Sequence, residues 1–304
     1  MVVTHGALQP ARSRCALTIG NFDGVHRGHC ALVERVVAKA RELGIASCAL
    51  TFEPHPREYF APDQAPARLT RLRDKLELLE RTGVARVHIV RFNATFAALS
   101  AERFVEEVLA GGLGACWLLV GRDFRFGARR AGDFATLEAL ARRHDFRLEA
   151  MPDVAYEGER VSSSAVRAAL AAGDFPRAER LLGHRYSISG RVSHGAKLGR
   201  NLGFPTANLV LRRSPPLSGI YVVDVEHYGP GVASVGRRPT VNPLAAPLLE
   251  VHLLERDEAL YGRRLRVTFL KKLRDEVRFE GLAPLREAIA QDAREAREFF
   301  AKHG

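Results

Sequence analysis

The strongest constraint on this chain is a change of rhythm. Up to about residue 183, apolar β-type runs alternate with helical patterns; from about Tyr186, short β runs broken by Gly and Pro take over. "CALTIG" reads as a buried strand. "CALVERVVAKARELG" sets Leu32, Val33, Val36, Val37 and Ala40 at helical spacing, with Gly44 closing it, and "IASCALTF" reads as a second strand. Such a β-α-β unit needs a crossover, which makes its strands parallel. The alternation continues through "LTRLRDKLELLERTG", "VARVHIVRF", "SAERFVEEVLAGG", "ACWLLVG", "DFATLEALARRH" and "FRLEAMP". Two short helices in "VSSSAVRAALAAGDFPRAERLLGH" follow. The expectation is a doubly wound α/β domain over 1–183, with ligands at the C-terminal strand ends. Beyond it, "YSISGRVSHG", "GIYVVDVEHYG", "GVASVGRRPTV", "PLLEVHLLE" and "RLRVTFLKKLR" predict a small closed β-barrel over 184–304, ending in a helix. Residues 1–14 receive no element.

Composition narrows the functional classes. The 304 residues are 46% hydrophobic and 27% charged, as in an ordinary globular chain with room for about two domains. No apolar run approaches the roughly 18 residues of a membrane helix. The first 14 residues lack the apolar core of a secretory signal, so a cytoplasmic location is expected, with no membrane partner. Cys15, Cys30, Cys48 and Cys116 sit in or beside apolar runs without a C-x-x-C pair, which favours small buried hydrophobes over disulfides or zinc. A net charge of +11 calls for anionic partners. The arginines are scattered and the aromatics show no RNA-stacking pattern. The basic run "RRLRVTFLKKLRDEVRF" alternates as a barrel strand with a solvated face does. Small phosphorylated ligands would use the same charge, so composition leaves RNA and small phosphates both open. Oligomeric state is not set by the sequence.

"TIGNFDGVHRGH" carries the chemistry of the first half. Gly20 and Gly24 allow close backbone approach to a ligand, and the helix start after them favours an anion. His26 and His29 add imidazole donors that can stabilise charge building on phosphorus. A glycine turn with incidental histidines, or a zinc site completed by Cys30 or His55, competes with this reading; the strand-turn-helix context favours the phosphate site. In "VSSSAVRAAL", Ser162, Ser163 and Ser164 stand at a helix start with Arg167 one turn along. That set suits phosphates, although a serine N-cap alone would explain it.

"GRVSHGAKLGRNLGFPTANL" is the richest stretch of the second half. Gly195, Lys197, Gly199 and Arg200 make a flexible cationic turn, although not a Walker A loop. Thr206 and Asn208, two apart on an extended segment, offer hard oxygens to Mg²⁺ held jointly with ATP; a turn with a Thr/Asn cap is the equal alternative. Glu250 is a lone carboxylate in an apolar strand, costly to bury unless paired or employed.

Together, "GNFDGVHRGH", "FEPHP", "VGRDFRFG" and "VSSSAVR" resemble the FMN adenylyltransferase module of bacterial bifunctional riboflavin kinase/FAD synthetases, within the nucleotidyltransferase superfamily. "GRNLGFPTAN" and the β runs after it resemble riboflavin kinases. The resemblance implies a Rossmann-like nucleotidyltransferase domain that makes FAD from FMN and ATP, releasing pyrophosphate, and a barrel that makes FMN from riboflavin and ATP with Mg²⁺. It places Gly20, Asn21, Phe22, Asp23, His26 and His29 against ATP, with Ser162, Ser163, Ser164 and Arg167 clamping the triphosphate. Phe52, His55, Pro56, Asp123, Phe124 and Phe126 fall on the flavin side, with core packing as the alternative for Phe124 and Phe126. Gly195, Lys197, Gly199, Arg200, Thr206 and Asn208 fall on the kinase ATP site, and Glu250 becomes the base for the ribityl 5′-hydroxyl. The chain departs from the common pattern at Ser164, often Thr, and at Arg237, often Thr or Val.

Overall fold

The computed structural model describes residues 1–6, 10–11, 13–194, 203–236, 247–256, 258 and 260–303. Gly195, Lys197, Gly199, Arg200 and Arg237 lie outside the described residues. The chain forms two compact units, Met1–Pro66 with Leu72–Ser162, and Ala67–Arg71 with Ser163–Gly304.

The first unit runs β1 (Val2–His5), β2 (Cys15–Ile19), α1 (Arg27–Glu42), β3 (Ala46–Glu53), α2 (Pro56–Phe60), α3 (Leu72–Arg81), β4 (Arg86–Arg91), α4 (Ala94–Ala97) and α5 (Ala101–Arg103). It continues with a π-helix (Phe104–Gly112), β5 (Ala115–Gly121), α6 (Phe134–Arg143), β6 (Arg147–Met151) and a hairpin of β7 (Ala155–Tyr156) and β8 (Glu159–Arg160). Six parallel strands are ordered β1-β4-β3-β2-β5-β6. Every residue of β2 is buried. Leu17 and Ile19 join a core with Phe104, Val105 and Leu137, while Ala16 joins Val36 and Ala40 of α1 on the opposite face. Helices thus cover both faces, the expected doubly wound arrangement. The strand order turns outward in opposite directions from β2 and β5, so the crevice at their C-terminal ends is the natural ligand position.

Two elements differ from the expectation. Residues 2–5 form a sixth strand: β1 pairs with β4, Thr4 Oγ1 meets His88 Nδ1 at 2.8 Å, and His88 Nε2 meets the Gly6 carbonyl at 3.2 Å. A four-residue edge strand whose residues are mostly exposed lacks the apolar run that marks buried strands. The helix expected in "SAERFVEEVLAGG" is mostly π-helical. A Cβ on Gly111 would stand 2.9 Å from the Glu106 carbonyl, so a glycine lets the wider turn close.

The second unit holds α7 (Ser163–Ala171), α8 (Phe175–Leu182), β9 (Ser187–Ser193), β10 (Ala207–Val210), β11 (Gly219–Val225), β12 (Gly229–Gly236), β13 (Leu248–Leu253), β14 (Arg264–Arg274) and α9 (Leu282–His303). Six strands close an antiparallel barrel in the order β10-β13-β12-β11-β14-β9. Leu209, Ala233, Leu249, Val251 and Val267 are buried within it. Ile220, Val222 and Val232 face outward, packed against Ala296, Phe299 and Phe300 of α9. The packing break at Ser162 precedes the change of sequence texture at Gly183. The reason is Phe175 of α8, whose ring centroid lies 5.9 Å from Tyr221 and 6.4 Å from Phe269 of the barrel.

Candidate functional site

The loop from β2 to α1 builds the first site. His26 is the N-cap of α1, its Nδ1 accepting from the His29 N–H at 3.3 Å. That bond puts the ring proton on Nε2. The His26 and His29 rings stack at 3.6 Å, and Phe22 meets His29 edge-on at 5.2 Å. Gly28 permits the stack: a Cβ there would stand 3.3 Å from the His26 ring. Gly24 has φ +87°, while Phe22 at +46° and Val25 at +41° hold left-handed backbone that side chains rarely adopt. Such strain persists only where the surroundings overdetermine it.

Burial holds the His29 imidazole well below its ordinary pKa, with the charges of His26 and Lys75 pushing the same way. The ring is therefore neutral at pH 7. His29 Nδ1 and Asn21 Oδ1 are buried without a partner. Lys75 is 3% exposed and donates to Thr51 Oγ1 at 3.5 Å, which donates to the Asn21 carbonyl at 3.3 Å. The zinc alternative lacks its further ligands. Cys30 Sγ donates to the Val25 carbonyl and His55 caps α2, and among the described residues no group of three or more candidate ligands converges.

A cavity of about 670 Å³ opens beside this loop, within the ~300–1,000 Å³ usual for ligand sites. It brings Gly20 and Asn21 together with Phe52, His55, Pro56, Asp123, Phe124 and Phe126. His55 caps α2 through Nδ1, which accepts from the Arg57 N–H at 3.1 Å, while Glu58 accepts from the His55 N–H at 3.3 Å. Phe124 and Phe126 stack at 5.6 Å; Phe126 is buried in the core, so it packs and lines the wall at once.

Gly20 and Phe22 also have structural roles. A Cβ on Gly20 would stand 3.0 Å from the Phe22 ring, so this glycine also makes room for a side chain of the protein itself. Phe22 is fully buried and supports His29 from beneath. The cavity also draws in Phe60, Phe92, Phe96, Arg57, Arg125, Arg129 and Arg130, which the sequence reading missed. Phe92 follows β4 and Phe96 lies within α4, and no local pattern links them to "FEPHP". Ser162 closes the first unit and Ser163 opens α7 in the second. Arg167 Nε donates to the Ala67 carbonyl at 2.7 Å.

On the barrel, Asn208 stands opposite Glu250 across β10 and β13, and Glu250 stands opposite Ser234 across β12 and β13. Partners so placed project to one face. Glu250 shares that outward face with Leu248 and His252, while Leu249 and Val251 point into the barrel. Asn208 Nδ2 donates to the Thr206 carbonyl at 3.3 Å, and its Oδ1 is buried without a partner among the described residues. A buried oxygen beside a carboxylate suits a hard divalent cation. Thr206 lines a small cavity of about 40 Å³ at the barrel end. The sequence reading also missed Glu276, whose carboxylate accepts from Ser234 Oγ at 3.1 Å.

One chain thus carries a glycine- and histidine-bearing loop at a parallel-sheet switch point and a closed barrel with a carboxylate on its outer face, two folds of the kind found in nucleotide-dependent transferases. The FAD synthetase family model matches residues 8–165 and the riboflavin kinase model residues 182–300. Bifunctional riboflavin kinase/FMN adenylyltransferase from Escherichia coli (strain K12) is 48% identical over 301 residues, 97% of this chain and 96% of that protein. The protein of the same name from Pseudomonas fluorescens is 50% identical over 294 residues, 95% of this chain and 94% of that one. A crystal structure described as a macrolide-efflux protein from Streptococcus pneumoniae superposes with a TM-score of 0.80 at 27% identity, covering 98% of this chain and 99% of that one. Among the described residues no helix is long and apolar enough to cross a membrane. This chain belongs to the bifunctional riboflavin kinase/FMN adenylyltransferase family, with the FAD synthetase domain before the riboflavin kinase domain.

Proposed function

We propose that residues 1–183 adenylylate FMN and residues 184–304 phosphorylate riboflavin, each through the residues assigned below. The enzyme converts riboflavin and ATP to FMN, and FMN and a second ATP to FAD and pyrophosphate. In the first half, Gly20, Asn21 and Asp23 meet ATP while Phe22 supports His29. The FMN phosphate oxygen attacks the α-phosphorus in line and pyrophosphate leaves. His26 offers its Nε2–H to the developing charge, and the neutral His29 stacks on it without adding a second cation. Ser162, Ser163, Ser164 and Arg167 hold the triphosphate. The flavin ring lies among Phe52, His55, Pro56, Phe124 and Phe126, with Asp123 at the edge. The aromatic cavity of about 670 Å³ at the mouth of the histidine loop is the observation that carries this reading.

In the barrel, Glu250 accepts the proton of the ribityl 5′-hydroxyl as that oxygen attacks the γ-phosphorus. Gly195, Lys197, Gly199 and Arg200 hold the nucleotide. Thr206 and Asn208 hold Mg²⁺, with the partnerless Asn208 Oδ1 as support. Bound there, the ion screens phosphate charge. Cys15, Cys30, Cys48 and Cys116 are free thiols, which supports a cytoplasmic enzyme. Its partners are small molecules, with neither nucleic acid nor membrane required. Incubation of the pure chain with riboflavin, ATP and Mg²⁺, followed by separation of flavins, is expected to yield FMN first and FAD after it. Chelation of the metal should stop both. Unchanged riboflavin would overturn the reading.

A further inference from the structure

The outer wall of the barrel carries a polar row that the assignments above use only in part. The ladders set Ser193 opposite Asn208, Asn208 opposite Glu250, and Glu250 opposite Ser234. Side chains directly opposite on antiparallel strands share a face about 5 Å apart. Ser234 donates its hydroxyl to Glu276 Oε1 at 3.1 Å. Glu276 follows β14, and nearby Arg274 is gripped by both oxygens of buried Asp292 in α9, at 2.8 and 2.7 Å. The segment is therefore held in place. Gly236, on the same face of β12 as Ser234, makes room for it: a Cβ there would overlap the Glu276 carboxylate.

Among the described residues the bond from Ser234 is the one hydrogen bond that Glu276 makes, and no cation lies within ion-pair distance. Burial pushes the Glu276 carboxyl above its ordinary value and the Glu250 charge adds to this, while the Ser234 bond and the Arg274 charge pull the other way. Asn208, 6% exposed, stands in the same row, and among the described residues its Oδ1 has no hydrogen-bond partner. A partly buried carboxylate with an open acceptor position is costly unless a ligand brings the donor.

We propose that Glu276, steadied by Ser234, is the polyol-recognising group of the kinase site, its Oε2 accepting a hydrogen bond from a ribityl hydroxyl beside the one that Glu250 deprotonates. The inference rests on the reading of Glu250 as base. A carboxylate held on one oxygen by a serine hydroxyl presents the other to a second hydroxyl of the same kind. The bare isoalloxazine has no such hydroxyl. Glu276 thus distinguishes flavins that carry the polyol from those that lack it, and it orients the attacking end of the chain.

The test uses the full chain and initial rates of FMN formation, with lumiflavin, the ring without the polyol, as competing inhibitor. Glu276→Gln and Ser234→Ala should each raise KM for riboflavin about ten- to a hundredfold, while the lumiflavin inhibition constant and KM for ATP change less than about twofold. FAD formation from supplied FMN should be unaltered. An unchanged riboflavin KM in both variants overturns the inference, as does a parallel loss of lumiflavin inhibition, which marks a structural role. Glu250→Gln is measured alongside. If it keeps full kinase activity, the base assignment fails and takes this inference with it; if it is inactive while Glu276→Gln is unaffected, this inference alone fails.

Discussion

A single imidazole shows how much one side chain depends on its neighbours. His29 is held neutral by burial first, then by His26 and Lys75. Its folded pKa lies below the ordinary 6.5, so the unfolded chain takes up a proton that the fold refuses. Stability from this site is complete above about pH 6.5 and falls as the pH drops below it. The slope is at most about 1.4 kcal/mol per pH unit for one such group. His88, buried against β1, adds to the same trend. Thermal melts of the parent should therefore fall between pH 7.5 and 5.5, and His29→Gln should flatten part of that slope; identical slopes would show that His29 is not the group being refused its proton. The histidine pair was legible in "GVHRGH" because strand, turn and helix meet there. Lys75 was not: its position in "LRDKLELLER" reads as one more polar site on an amphipathic helix, and only packing buries it.

At the scale of elements, the first turn of α1 joins a cap to the ring proposed to stabilise the transition state. Gly28 lies inside that turn, where alanine is the better helix former by about 1 kcal/mol. Yet a Cβ would stand 3.3 Å from the His26 ring and displace it by a few tenths of an ångström. Gly28→Ala should therefore leave the melting temperature unchanged or raised while cutting FAD formation about tenfold or more, as small misplacements of reacting groups do. FMN formation should be unaltered. A fully active variant would show that the histidine stack tolerates the shift. The glycine was visible in the sequence, but its purpose was not. Its neighbours there are Arg27 and His29, whereas the group it accommodates is a ring folded back from His26.

At the scale of the whole molecule, two reactions on one chain should separate by mutation. Glu250→Gln should lower FMN formation about 10²–10⁴-fold and spare the conversion of FMN to FAD, while His29→Asn should do the reverse. A mixture of the two variants should then make FAD from riboflavin, because FMN released by one is substrate for the other. Failure of the mixture, with each variant active in its own half-reaction, would mean that FMN does not leave the site where it forms.

The order of folds was readable along the chain because hydrophobic period is a local property: alternation of buried strands with amphipathic helices, and then short strands divided by glycine and proline, each declare themselves within a dozen residues. The glycine- and histidine-rich turn and Glu250 were equally local signals. What required the folded molecule were the partners. Phe92 and Phe96 enter the aromatic cavity, Glu276 reaches Ser234 from beyond β14, and α8 joins the barrel through Phe175. Each arises from closure of segments far apart in sequence, where burial and excluded volume, not local period, choose the neighbours.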